Sequence, residues 1–210
     1  MSLALHSTLK MVCNKDQVSL YKDVNNSDDK TYKIVFDARN DAFPIHTMVG
    51  FKMYTLLYEL NRDIIHSFKI VKENEKSIEM IFLFKSLGKE FGLAPKFMHT
   101  MTTVDFMSPE HEHSCCCCCV FNSVDVDVDH VASASIPKKY ERLYTNKSAL
   151  TVRFISNNEL HFDFTFSLKD NDGESQNETS PSCPLYMENS VALMIKKMFC
   201  RLKVFTERMT

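Results

Sequence analysis

The chain has 210 residues and a formal net charge of −2, from 25 basic and 27 acidic side chains. Its hydrophobic fraction of 44% is enough to build a core, so most of the chain is expected to fold as one domain. A general nucleic-acid binder normally shows a basic excess, which the whole chain lacks. With only four glycines, it also lacks both common phosphate-binding glycine motifs, which argues against the usual nucleotide-binding enzymes.

The first half of the chain predicts five strands and one ambiguous segment. Strands are expected near 9–13, 31–36, 68–72, 78–84 and 98–106, where β-branched and aromatic residues are frequent. Segment 78–84 is almost continuously apolar, which is typical of a strand buried on both faces. Residues 48–66 carry a helical stripe but also contain strand formers. We favour a helix there and keep a strand as the alternative.

Two segments in the second half have simple, polar composition. Residues 108–135 combine a His/Glu stretch, five consecutive cysteines and a Val-Asp repeat, which predicts a low-complexity, disordered insertion. Residues 169–184 are almost entirely polar and predict a flexible loop. One β-rich domain is therefore expected to consist of residues 1–107 and 136–210.

The clearest local pattern is a hairpin of strands 150–155 and 159–168. In the second strand phenylalanines and leucines alternate strictly with polar residues, so one face is expected in the core and the other in water. The C-terminal segment 187–209 has apolar residues at helical spacing, with a final strand at 200–205 as the alternative. We predict a mainly antiparallel β-barrel or sandwich with one or two helices and a long low-complexity loop.

Catalytic and metal-binding motifs are weak. His111, His113 and Cys115–Cys119 could hold a soft metal, but consecutive cysteines diverge and cannot all face one ion. The Val-Asp repeat begins like a calcium loop and then lacks the required glycine, because His130 stands in its place. His161, on the polar face of its strand, has no nucleophile motif beside it. We predict no catalytic, cofactor-binding or metal site, and no enzyme.

The basic residues of the C-terminal segment form the best candidate for a partner surface. Lys196, Lys197, Arg201 and Lys203 accompany the apolar stripe of the expected helix. The simpler interpretation is a helix that packs its stripe on the β-core and leaves its lysines in water. The other is a surface that docks on a protein, a nucleic acid or an anionic membrane.

In general pattern, the chain resembles the baculovirus telokin-like protein family. The segments that carry the likeness are 43–52, 78–87 and 104–106, and it extends over 9–107 and 137–168. The resemblance implies a β-barrel or sandwich, a viral accessory or structural protein without assigned enzymatic activity, and no site residues to carry over.

Two roles follow as hypotheses. The first is a non-enzymatic viral accessory protein that acts through protein–protein contacts or self-association. The alternative is a nucleic-acid-binding factor that uses basic residues near 138–153 and 196–208, which requires them to converge on one face. No signal peptide or apolar run of membrane length is evident, and the clustered cysteines favour a reducing compartment. We therefore expect an intracellular protein, in the host cytoplasm or nucleus, without a membrane partner or an evident small-molecule substrate.

Overall fold

The chain folds around one large antiparallel sheet. The computed structural model describes residues 9–24, 30–86, 94–107, 117–127, 136–145, 147–168 and 185–210. The strands are β1 (Leu9–Lys15), β2 (Val18–Asp23), β3 (Lys30–Arg39), β4 (Ile65–Glu73), β5 (Ser77–Phe84), β6 (Lys96–Met107), β7 (Cys118–Asp125), β8 (Glu141–Arg142), β9 (Lys147–Ser156) and β10 (Glu159–Leu168). The helices are a short 3-10 turn (Ile45–Met48), α1 (Lys52–Leu60) and α2 (Leu185–Arg208).

The strand order corrects the finer part of the fold prediction. The sheet runs β1-β2-β3-β10-β9-β7-β6-β5-β4, with every neighbouring pair antiparallel, and β8 pairs in parallel with β6. The prediction of a mainly antiparallel β protein with two helices is confirmed. A sandwich would need two sheets, and a closed barrel would need β1 to pair with β4. Among the described residues there is one sheet, and β1 and β4 are its edges.

The predicted hairpin lies at the centre of this sheet. β10 pairs with β9 on one side and with β3 on the other, over ten consecutive residues in the second case. Cross-strand partners stack on the inner face: the rings of Phe36 and Phe162 lie 4.6 Å apart, and those of Tyr32 and Phe166 lie 5.6 Å apart. Such pairs contribute beyond their buried area, so this centre is well anchored.

Both helices lie on the same face of the sheet as these rings. The C-terminal segment is a helix, as predicted, and its strand alternative is wrong. Phe199 of α2 packs against Phe36 and Phe164, with ring centroids 5.9 and 5.0 Å apart. In segment 48–66 the helix prediction is confirmed for Lys52–Leu60, where Met53 and Leu57 turn into the core.

The interpretation of 108–135 as a loop outside the core is wrong for Cys118–Asp125. These residues form β7, between β6 and β9, and Cys119 and Phe121 are buried there. The repetitive composition of this segment obscured a strand in which alternate side chains point inward. Residues 108–116, 128–135 and 169–184 lie outside the described residues.

The outer face of the sheet carries a smaller apolar cluster. Ile81, Leu83 and Phe97 are buried there beneath Ile136 and Tyr140. The chain then joins the sheet as β8, in which Arg142 pairs with Phe97 of this cluster. The basic residues at 138–142 therefore lie on the opposite side of the sheet from α2.

Candidate functional site

An internal cavity of about 90 Å³ lies between the inner face of the sheet and the two helices. α1 contributes Tyr54 and Leu57 to its wall. α2 contributes Ile195, Met198 and Phe199. The remaining lining residues come from β5, β6, β7, β9 and β10 and from the segment before β9: Phe82, Phe84, Met98, Thr100, Ser123, Thr145, Ser148, Leu150, Phe164 and Phe166.

The cavity wall is apolar and carries no charged side chain among the described residues. Aromatic rings and methionines form most of it, and methionine side chains adapt readily to the shape of a bound apolar group. A charged group moved into such a space would lose its hydration without gaining a counter-ion. The cavity therefore suits a neutral, apolar ligand.

The polar side-chain atoms at the wall are hydroxyls, and those of Tyr54, Ser123 and Thr145 bond within the protein. Thr102 and Ser123 face each other across β6 and β7, with hydroxyl oxygens 2.7 Å apart. Burial raises the pKa of Tyr54 to about 12, opposed by its hydrogen bonds with those two hydroxyls. Thr145 donates its hydroxyl and its backbone N–H to the Asp125 carboxylate, at 3.1 and 2.9 Å. The raised pKa keeps the Tyr54 hydroxyl neutral at neutral pH.

Polar contacts hold α2 over the cavity at three places. At its start Tyr32 donates a hydrogen bond to the Asn189 side chain, 3.0 Å long. In its second half Arg201 forms a two-pronged ion pair with Asp63, and this lowers the pKa of that carboxyl. At its end the buried Asn40 amide donates to the carbonyls of Thr206 and Met209, both at 2.8 Å. The wall formed by α2 is thus fixed at both ends.

The four basic residues that the sequence suggested as a partner surface differ in burial and in position. Lys196 is 4% exposed, and Lys203 is equally buried in an ion pair with Glu207. Lys197 is exposed, 3.7 Å from the Asp63 carboxylate that Arg201 also binds. Lys196, Lys197 and Arg201 share one groove on the outer side of α2, whereas Lys203 does not reach it. Their role as a partner surface stays a prediction.

The other sequence candidates occupy ordinary structural positions. His161 bonds to Asp37 across β3 and β10, with Nδ1 and Oδ1 2.6 Å apart. Asp127 of the Val-Asp repeat lies near Arg142, at 3.8 Å. His111, His113 and Cys115 lie outside the described residues. Within the described ranges no three His, Cys, Asp or Glu side chains come together as metal ligands, and no helix combines the length and apolarity needed to cross a bilayer.

Comparison with solved structures identifies the fold. The chain superposes on the lipid transfer and protein localization domain of human StarD13 with a TM-score of 0.66 and 10% identity, over 96% of this chain and 90% of that one. Human StAR-related lipid transfer protein 5 gives 0.62 and 8%, over 95% and 89%. The StAR-related lipid transfer protein from Xanthomonas axonopodis gives 0.56 and 8%, over 95% and 98%. At such identities the likeness shows the fold alone.

No protein-family profile and no curated protein sequence matches the chain. The structural neighbours nevertheless overturn the resemblance to the telokin-like family, because the architecture is that of StAR-related lipid transfer domains. The resemblance was wrong because it rested on alternating strands and residue bias, which unrelated antiparallel β proteins share.

The functional hypotheses built on that resemblance are corrected with it. The viral accessory role, the protein-contact keywords and the prediction of no small-molecule ligand are wrong for a chain with the fold of lipid transfer domains. Nucleic-acid binding also required the basic residues to converge. Lys138, Lys139 and Arg142 lie on the outer face of the sheet, whereas the basic residues of α2 belong to the helix on the inner face.

Sequence reasoning missed the cavity-lining residues as a set. Thr100, Ser123 and Ser148 come from three strands, and only the register of the sheet brings them to one wall. One signal was available in the sequence. Small hydroxyl residues occupy inward positions of strands whose other inward residues are large and apolar, and small side chains at such positions leave space.

Proposed function

We propose that the protein binds a neutral lipid, or the hydrocarbon part of one, in the cavity between α2 and the sheet, without catalysing a reaction on it. The observation that carries this proposal is the apolar, uncharged wall formed by the sheet, α1 and α2. The fold supports it, since three of the structural neighbours described above bear lipid transfer in their names. Enclosure by an apolar wall is the physical requirement for carrying such a molecule through water.

The size of the cavity limits how the ligand enters. Sites for drug-sized ligands usually measure roughly 300–1,000 Å³, which exceeds the 90 Å³ enclosed here. A whole lipid therefore requires the wall to widen. The adaptable side chains on opposite walls are Met98 of β6 and Met198 of α2. We propose that a hydrocarbon chain enters between them and moves outward the part of α2 that lies between its fixed ends.

The test fills the cavity and compares binding with a matched substitution on the surface. Ile195→Phe adds volume to a lining position of α2, whereas Ile155→Phe makes the same change on β9 at a residue that is 51% exposed. Binding of a fluorescent sterol and of a fluorescent monoacylglycerol would be titrated for the wild type and both variants. We expect Ile195→Phe to weaken binding at least tenfold, because the added ring occupies the space, and Ile155→Phe to leave it unchanged.

Charged competitors sharpen the same experiment. A soluble long-chain sulfate should displace the probe poorly, because its charge would have to be desolvated at a wall without a counter-ion. The proposal fails if neither neutral probe binds the wild type, or if both variants bind as the wild type does. Thermal melts of the three proteins would verify that Ile195→Phe is folded.

A further inference from the structure

A second concave site lies on the outer side of α2, away from the cavity. This groove has a volume of about 690 Å³ and lies between α2, the β1–β2 hairpin and the end of α1. Its lining residues are Cys13, Lys15, Asp16, Leu60, Leu193, Lys196, Lys197, Cys200, Arg201, Val204 and Phe205. The α2 residues extend from Leu193 to Phe205, about 18 Å at 1.5 Å per residue.

Lys196 is the unusual residue of this groove. Its side chain is 4% exposed, and its ammonium donates to the Lys15 carbonyl at 3.2 Å and lies 3.8 Å from the Cys200 sulfur. Among the described residues no carboxylate lies within ion-pair distance of it. Lysines are seldom buried unless they are paired, because a buried ammonium without a counter-ion loses its hydration energy uncompensated.

The other well-buried lysine of α2 shows the usual arrangement. Lys203, also 4% exposed, forms an ion pair with Glu207 one turn further along the helix. Two lysines on one helix, equally buried, thus differ in whether the protein supplies a counter-ion. Lys196 lines the groove and Lys203 does not, so the missing negative charge would be supplied from the groove.

The other residues that line the groove indicate what kind of anionic molecule could bind Lys196. Lys15, Lys197 and Arg201 add positive charge around Lys196. Asp16 is the acidic residue of the lining, and Asp63 lies beside Lys197 and Arg201. At the two ends of the helical stripe the groove is apolar: Leu193 is 42% exposed, and Val204 and Phe205 are nearly as exposed. A basic centre between exposed apolar side chains matches a molecule that has an anionic group and a hydrocarbon part.

We propose that this groove binds a phosphate-bearing amphiphile, with its anionic group on the Lys196 ammonium and its hydrocarbon part against Leu193, Val204 and Phe205. Lys197 contributes from the rim. Arg201, which forms an ion pair with Asp63, adds positive charge to the wall of the groove. The site is separate from the cavity and does not depend on the function proposed for it.

The first experiment uses the full chain under reducing conditions and a soluble short-chain phosphatidic acid. The variant is Lys196→Met, which keeps the length of the side chain and removes the charge. Because charge-assisted hydrogen bonds are the stronger ones, we expect binding to weaken at least tenfold. Lys196→Arg should retain binding, and Lys52→Met, an exposed lysine on α1, serves as the control for net charge.

Thermal stability separates a ligand-binding lysine from a structural one. Removing a buried ammonium that lacks a counter-ion should leave the melting temperature of Lys196→Met equal to or above that of the wild type. A variant that loses both stability and binding would identify Lys196 as a structural residue and overturn the proposal. Lys197→Gln, at an exposed position, should weaken binding about threefold; unchanged binding there would count against the site.

A second experiment distinguishes an amphiphile bound from a bilayer from one bound as a free monomer. Co-sedimentation with phosphatidylcholine vesicles, with and without phosphatidic acid, tests a lipid still in a bilayer, and the short-chain compound tests a free monomer. Binding of either form that Lys196→Met abolishes and Ile195→Phe retains supports the proposal. Inorganic phosphate that binds as tightly as the amphiphile, or binding that only Ile195→Phe abolishes, would contradict it.

Discussion

The two sides of α2 both carry apolar residues, but the sheet covers only one of these sides. Towards the sheet, Ile195, Met198 and Phe199 are buried and close an uncharged cavity. Away from the sheet, Leu193 and Phe205 remain exposed beside basic residues. An apolar residue on this helix therefore contributes to the core only where the sheet covers it. The two sides also differ in charge: the cavity wall has no charged side chain, whereas four basic side chains line the groove.

The largest effect should come from a matched pair of phenylalanines on the two sides of α2. Phe199→Ala removes a ring that packs on Phe36 and Phe164, and we expect it to lower the free energy of unfolding by about 3–5 kcal/mol. Phe205→Ala removes a ring that is 37% exposed and should cost less than about 1 kcal/mol. Urea unfolding of both variants measures the difference. Equal losses would mean that the two sides of the helix are not distinct.

Removing the hydrogen bonds from Asn40 to the end of α2 should have an intermediate effect on stability. Asn40→Ala leaves the carbonyls of Thr206 and Met209 without their donor, and we expect a loss of about 1–3 kcal/mol. Hydrogen exchange should show faster opening of the last turns of α2 while the central strands stay protected. Asn122→Ala, whose exposed amide makes only a 3.4 Å contact with Asp105, is the control and should change little. Unchanged exchange in α2 would show that packing alone holds the helix end.

The ion pair between α2 and the end of α1 should have the smallest effect and a defined pH dependence. The hydrogen bond from Arg201 holds the pKa of Asp63 below its ordinary value of 3.8. A carboxyl with a lowered native pKa stabilises the fold above its unfolded pKa, and this contribution is lost as the pH falls through the native value. Because Asp63 is 55% exposed, solvent screening limits the contribution to about 1 kcal/mol at most.

Asp63→Asn tests this dependence. The stability difference between the wild type and Asp63→Asn should be full at pH 7 and should shrink as the pH falls below about 4. Chemical denaturation at several pH values measures it. Asp41→Asn, in an exposed pair with Arg39, is the matched control and should show almost no difference at any pH. A difference for Asp63→Asn that does not vary with pH would assign its effect to packing instead of charge.

Strands whose side chains alternate regularly could be predicted from the order of residues alone. In β10 the alternation of phenylalanines and leucines with polar residues predicted the bounds 159–168, and the structure has the same bounds. The helical spacing of α2 was equally readable, although spacing alone did not show that Phe205 is exposed and Phe199 is buried. Periodicity reports one dominant face. It does not report how far the neighbouring elements wrap around a helix.

The position of β7, the cavity and the groove became known from the folded arrangement of the chain. β7 was hidden by its repeated residues, and its burial became visible only once β6 and β9 were seen to pair with it. The cavity is a space left where strands and helices meet, and the Arg201–Asp63 pair joins residues 138 positions apart. Such features depend on distances between elements that are remote in the chain. Local propensity and periodicity carry no information about these distances, so the small hydroxyl residues at inward strand positions could suggest a space but not place it.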